Sequence, residues 1–208
     1  LKDKLFLGDI FDANNSYFLR ENNITTIINV SSGKIVIPNA NIKIYNYDIK
    51  LKWYNTIGKS ASLNKMVKDC KYDYIAILDV DDIWINNKLE KQLPYLNSYD
   101  VIGTGCRYFG NANHCPHIPF GDISEFNFFN LNPIINSSAI IKKELAYWDE
   151  KDLTGLEDYD LWLRLSKEKR SFFNIPEILV LHRLHETSQF NNTNNNYIED
   201  LKNKWLNS

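Results

Sequence analysis

The sequence predicts an α/β fold, with a mostly parallel central sheet and helices on both of its faces. Short runs of strand-forming residues alternate with stretches of helical spacing, the pattern of strands joined by helical crossovers. One run, Tyr72–Leu78, is rich in apolar residues without alternation, as a strand covered on both faces is. With 208 residues, 44% of them hydrophobic, the chain can build one sizeable core, and a single domain spanning 1–208 is expected, with 1–47 a divergent strand-helix-strand portion.

Lys4–Ile10 is a short strand-forming run, Asp12–Asn23 carries Tyr17, Phe18 and Leu19 on one helical patch, and Thr25–Val30 is β-branched and continuous. Ser31-Ser32-Gly33 punctuates, and Ile42–Tyr47 alternates as a further strand. Ser60–Cys70 places Ala61, Leu63, Met66 and Val67 at helical spacing and feeds the strand Tyr72–Leu78. Asn87–Leu96 reads as a helix and Asp100–Gly105 as a strand. Cys106–Asn130 reads as loop or irregular sheet, and Ile134–Ile141 as a strand. Asp158–Lys167 is a strong helix, Phe172–Ile175 and Leu179–Leu184 are two short strands, Gln189–Asn196 is an Asn-rich loop, and Tyr197–Leu206 is amphipathic.

Charge and composition exclude several classes. The chain has 24 Lys and Arg against 26 Asp and Glu, a net charge of −2, so it lacks the basic footprint of a nucleic-acid binder. Its longest apolar stretches, such as Tyr74–Leu78 and Ile178–Leu181, fall far short of the roughly 20 residues of a bilayer span, so no transmembrane segment is expected. Cys70, Cys106 and Cys115 are odd in number and irregular in spacing, which argues against a disulfide framework and fits a reducing compartment. The start at Leu1-Lys2-Asp3-Lys4 lacks Met and a signal-peptide run, so the chain is expected to be a segment of a longer protein. A cytoplasmic location, with peripheral membrane association left open, is the corresponding expectation.

The sharpest feature is Asp79-Val80-Asp81-Asp82, three carboxylates where an apolar strand runs out. In open α/β sheets ligands bind beyond the carboxyl ends of strands, and a hard divalent cation relieves repulsion among such acids while bridging phosphates. A solvated acidic turn that caps the next helix is the competing reading. A calcium hand is excluded, because Ile83 and Trp84 stand where an oxygen ligand and the turn glycine belong. Asp158 opens a helix whose Leu161, Trp162 and Leu165 are apolar at helical spacing, so on its own it is an acid favoured by the helix dipole. Glu157 and Asp160 lie on other faces of that helix.

From Gly58, Ser60 and Asn64 through Asp79–Asp82 and Lys88-Leu89-Glu90-Lys91-Gln92, the chain resembles the family 2 glycosyltransferases of the GT-A fold. The resemblance continues through Asn136-Ser137-Ser138, Gly155–Leu165 and Arg183-Leu184-His185, and covers roughly Ile44–Gln189. It implies a metal-dependent, inverting transfer of a sugar from a nucleotide-diphosphate donor to a hydroxyl of a glycan, lipid or protein. Asp79 and Asp81 match the Asp-x-Asp that holds the donor's ribose and the metal, Mn²⁺ or Mg²⁺. Asp158 matches the catalytic base. His185, with Arg183 near it, matches positions that face the metal and diphosphate. The same motifs imply substrate contacts from Asn64, Asp82 and Trp162.

The N-terminal third departs from that pattern, since Val30-Ser31-Ser32-Gly33 places serines where paired base-reading acids are expected. Lys4–Val30 is also similar to the opening of dual-specificity phosphatases, but their loop needs Arg six residues after Cys. Ala76, Ala112 and Gly121 stand there instead. A non-catalytic nucleotide- or partner-binding module with relic motifs is therefore the alternative to an enzyme. His114-Cys115-Pro116-His117 has no second cluster at zinc-finger spacing.

Overall fold

The computed structural model describes residues 26–29, 43–46, 58–151, 155–184 and 195–207. The expectations for Lys4–Ile10, Asp12–Asn23, Ser31–Gly33 and most of Gln189–Asn196, and nearly all of the phosphatase-like opening, fall outside them. The chain divides into two compact units, Leu1–Trp53 and Tyr54–Ser208. In the first, β1 (Thr26–Asn29) and β2 (Lys43–Asn46) pair in parallel with Ile27 opposite Ile44, as two strand-forming runs joined by a long connection can.

The second unit contains α1 (Lys59–Asp69), β3 (Tyr74–Ala76), β4 (Ile83–Trp84), α2 (Lys88–Gln92), β5 (Val101–Gly110), β6 (Gly121–Asp122), β7 (Ile140–Lys142), α3 (Glu157–Lys167), β8 (Phe172–Leu184) and α4 (Asn195–Leu206). Its sheet runs β3-β7-β5-β8-β4, with β6 also on β8. The sheet is mixed rather than mostly parallel. Of its five described pairings only β5 with β8 is parallel, while β3·β7, β5·β7, β4·β8 and β6·β8 are antiparallel. Three short elements that carry no strong period of their own cause the difference: β7 returns between β3 and β5, and β4 and β6 each run antiparallel to β8.

β5 and β8 are also longer than their local patterns suggest. Phe172–Leu184 is one strand of 13 residues, running through Pro176-Glu177. There the register shifts from Thr104 opposite Ile175 to Gly105 opposite Ile178, a bulge that accommodates a proline without a donor N–H. Gly105 permits it, since a Cβ there would lie 2.9 Å from the Glu177 carbonyl oxygen.

Side chains leave the central strands alternately toward two apolar layers. Val101 and Phe172 join Ile141, Leu145, Trp148 and the α3 residues Leu161, Trp162 and Leu165 in the main core, against which Leu63 and Val67 of α1 pack. Ile102, Ile175 and Leu179 pack instead with Ile85, Tyr95, Leu96 and Phe173. Helical segments thus cover both faces of this sheet, as the sequence predicts. Fully burying each large apolar side chain of α3 contributes about 1.5–3 kcal/mol, which fixes the helix against the sheet. Polar contacts fix its rotation: the Tyr159 hydroxyl donates to the Phe128 carbonyl at 2.6 Å. Asp160 is buried and accepts from Lys204 Nζ at 2.6 Å and Trp205 Nε1 at 2.7 Å, both on α4. Among the described residues no helix is long and apolar enough to cross a membrane.

Candidate active site

β3 ends at Ala76, and the backbone then leaves the sheet at Asp79-Val80-Asp81-Asp82, closed by a bond from Asp82 N to the Asp79 carbonyl at 3.1 Å. Val80, fully exposed, marks the tip of this turn. The three acids have different surroundings. Asp79 is gripped by the short helical turn Asn136–Ser138: its Oδ2 accepts from Asn136 Nδ2 at 2.9 Å and Ser137 Oγ at 3.3 Å, while its N–H donates to Ser137 Oγ at 3.0 Å. Its Oδ1 lies 3.2 Å from Lys59 Nζ, at the start of α1. Trp84 Nε1 in turn donates to the Ser137 carbonyl at 2.6 Å, so β4 supports the turn that supports Asp79.

Asp82 is buried, and its two oxygens accept from His182 Nδ1 at 2.8 Å and from the Arg183 N–H at 2.9 Å. Burial alone raises its pKa, but the bonds from His182, Ser137 and Arg183 outweigh that and hold the carboxyl below its ordinary range. For His182 burial opposes the charge, and the bond to Asp82, followed by the charges of Asp82, Asp81 and Asp79, raises its pKa. Asp81 is half-buried; its carbonyl accepts from Arg183 Nε at 3.1 Å, and the Arg183 guanidinium lies 4.4 Å from the Phe109 ring centroid.

Asp158 sits in the first turn of α3. Burial pushes its carboxyl up to about 6, against the nearby Lys59 charge, with Asp79 and Glu157 adding to the rise. Lys59 likewise feels Asp79, Asp158 and Glu157, and these outweigh its own desolvation to raise its pKa. Asp79 and Asp158, 79 residues apart in sequence, are thus close enough for their charges to act on each other and on Lys59, which pairs with Asp79.

Asp79, Asp81, Asp82, Arg183 and Asp158 thus share this region. Asn64 is buried, donating from Nδ2 to the Trp148 carbonyl at 2.8 Å and accepting from the Trp148 N–H at 2.9 Å, which ties α1 to the segment before α3. Trp162 is fully buried in the main core, because its helical spacing with Leu161 and Leu165 turns it to the sheet. His185 lies outside the described residues. Among the described residues no group of three or more His, Cys, Asp or Glu side chains is arranged to hold a metal ion. Sequence reasoning missed Lys59 and His182. Both acquire their meaning from acids 20 and 100 residues away in sequence, so no local pattern marks them.

The chain is similar to the Escherichia coli O-antigen biosynthesis glycosyltransferase WbnJ, at 32% identity over 154 residues, covering 68% of this chain and 60% of that protein. It is 34% identical over 149 residues to the uncharacterized glycosyltransferase MJ1057 of Methanocaldococcus jannaschii, covering 65% of this chain and 50% of the relative. The chain therefore spans about half to three-fifths of the length of these relatives. Among solved structures it resembles S. aureus TarS 1-349 in complex with UDP-GlcNAc, with TM-score 0.54 and 15% identity over 74% of this chain and 45% of that one. This likeness shows the GT-A fold that the motifs imply. The model of the family described as "Glycosyl transferase family 2" matches residues 40–145, half of the chain, and its span takes in β2, α1 and the acidic turn. The chain is a member of glycosyl transferase family 2.

Proposed function

We propose that this protein transfers a sugar from a nucleotide-diphosphate donor to a hydroxyl of a glycan, lipid or protein, with inversion at the anomeric carbon. The observation that supports the reading best is the nearness of Asp158 to Asp79 and its Lys59 partner, whose charges act on one another and so join a donor-side acid to a potential base. A carboxylate with a pKa near 6 is ionised at neutral pH and more basic than an ordinary one, as proton removal from an attacking hydroxyl requires. In-line displacement needs that base opposite the departing diphosphate, so Asp158 and the acidic turn would flank the reacting centre from two sides. UDP-sugars are the first donors to test, because the TarS structures carry UDP-GlcNAc and UDP.

The fold family implies a divalent cation, and the residues present fit one shared with the donor better than one caged by protein. Both Asp82 oxygens are engaged, and Asp79 is held by Asn136, Ser137 and Lys59. Asp81, half-buried beside them, offers an oxygen ligand, and Mg²⁺ commonly takes one or two carboxylates with substrate phosphates and water. Asp81 would hold the cation, with His185 as the further expected ligand, and Asp79 would contribute mainly to the donor. The cation supplies positive charge for the leaving diphosphate. Arg183, resting on the Asp81 carbonyl, would add a second positive charge at this edge.

The whole chain is read as one transferase domain, because the family match begins at residue 40, before the second unit starts at Tyr54. Its setting is proposed to be cytoplasmic or peripheral at a membrane. Calorimetry with UDP or GDP and Mn²⁺ tests the assignment: Asp81→Ala is expected to abolish metal-dependent nucleotide binding, and unchanged binding refutes it. Asp158→Asn keeps shape and removes basicity, so it should preserve donor binding and lower turnover by about 10²–10⁴-fold. Transfer at the parent rate would show that Asp158 is not the base.

A further inference from the structure

Both ends of α2 are polar, yet both are buried: Lys88 is 1% exposed and Gln92 is 0%. Four residues apart, they share one face of the helix. The Gln92 amide has every bonding group engaged. Its Nε2 donates to the Ile102 carbonyl of β5 at 2.8 Å and to the Ser138 carbonyl at 2.9 Å, and its Oε1 accepts from Lys88 Nζ at 2.7 Å. With both protons and its oxygen in use, the amide has one orientation, and a buried network satisfied in this way is rigid.

The Ser138 carbonyl ends the short turn Asn136–Ser138, and the carbonyl before it, that of Ser137, accepts from Trp84 Nε1. Lys88 Nζ, 4.2 Å from the Trp84 ring centroid, ties the two grips together. Ser138 Oγ is engaged as well, accepting from the Thr104 N–H at 3.1 Å and donating to the Ile135 carbonyl at 2.7 Å. The turn cannot pivot without orphaning buried polar groups, which is costly. Its other side carries the Asn136 amide and Ser137 hydroxyl that hold Asp79 Oδ2. The chain thus leaves Asp79, passes through β4 and α2, and grips the turn that grips Asp79. Gln92 itself bonds to none of the site's acids among the described residues. We propose that Gln92 is a positioning residue for the donor: by fixing the Ser138 carbonyl it sets the turn that orients the Asp79 carboxylate. The proposal rests on the reading of Asp79 as a donor-side residue of a transferase.

A double-mutant cycle on the intact chain tests it, with calorimetry of UDP and GDP in the presence of Mn²⁺, run to millimolar nucleotide so that weakened variants stay measurable. Urea midpoints are taken alongside. Gln92→Met is expected to weaken nucleotide binding about tenfold, the size of one charge-assisted bond lost at Asp79. In an Asp79→Asn background the same change should alter affinity by less than about twofold, while lowering the urea midpoint as much as it does in the parent. A residue that only stabilised the sheet would shift the midpoint in both backgrounds and the affinity in neither. The change also strands the buried Lys88 amine, so Lys88→Met combined with Gln92→Met is the second variant: it should recover stability but not affinity, and it takes the single variant's place in the cycle if that one does not fold. Unchanged affinity in Gln92→Met, or an equal loss in both backgrounds, overturns the proposal and leaves the transferase reading intact. Parental binding in Asp79→Asn overturns it as well, by removing Asp79 from the donor. If the parent binds neither nucleotide, the donor reading fails and the proposal falls with it.

Discussion

Lys88 is 1% exposed, yet no carboxylate pairs with it among the described residues. Its Nζ donates to Gln92 Oε1 at 2.7 Å and lies 4.2 Å from the centroid of the Trp84 ring. Burial pushes its pKa from the ordinary 10.5 down to about 7. Because the folded value lies below the unfolded one, the unfolded chain binds the extra proton between them, and stability rises with pH across that window. Below it both states are charged and the dependence vanishes. The linkage relation for these two values gives a gain of about 2 kcal/mol between about pH 7 and 9. Lys88→Met removes the titrating group. It also leaves Gln92 Oε1 without its donor at a cost of about 1–3 kcal/mol, but that penalty does not vary with pH. Urea unfolding of parent and variant at both pH values isolates the effect, as the parent-minus-variant stability should grow by about 2 kcal/mol on going to the higher pH. A difference constant to about 0.5 kcal/mol would mean that Lys88 stays charged throughout and that the ring and the amide compensate its burial.

Asp82→Asn should destabilise by about 3–5 kcal/mol, as it removes one partner of a buried pair. The folded pKa of His182 is raised, so its share of that loss is present below the unfolded His value and fades as pH rises through the folded one. The folded pKa of Asp82 is lowered, so its share persists above the unfolded carboxyl value and is lost as pH falls through the folded one. Urea midpoints for parent and variant from acid to alkaline pH should trace both edges; a flat difference would contradict the pairing. Trp162→Phe should cost less than about 1.5 kcal/mol, because Trp162 Nε1 has no partner to lose, and should leave nucleotide affinity unchanged. A selective loss of donor binding in that variant would return Trp162 to the site.

The sequence by itself determined the class of fold and pointed to the acids of the candidate site. The apolar strand ending at Asp79-Val80-Asp81-Asp82 needs only a local run and a chain reversal, and the apolar spacing of Leu161, Trp162 and Leu165 already turns one face of α3 inward. That same spacing buries Trp162 in the main core, while Asn64 is bonded to the Trp148 main chain, a pairing that no local pattern shows. Only the tertiary structure decided the mixed sheet, since Ile83–Trp84 and Ile140–Lys142 are too short to carry a period and take their direction from β8 and β5. It alone distinguished the three acids of the turn. Asp82 is sealed by His182 and Arg183, Asp79 is held by Asn136, Ser137 and Lys59, and Asp81 is half-buried. Charge interactions act through space rather than along the chain, so the influence of Lys59 on Asp79 and Asp158 becomes legible only in the folded chain.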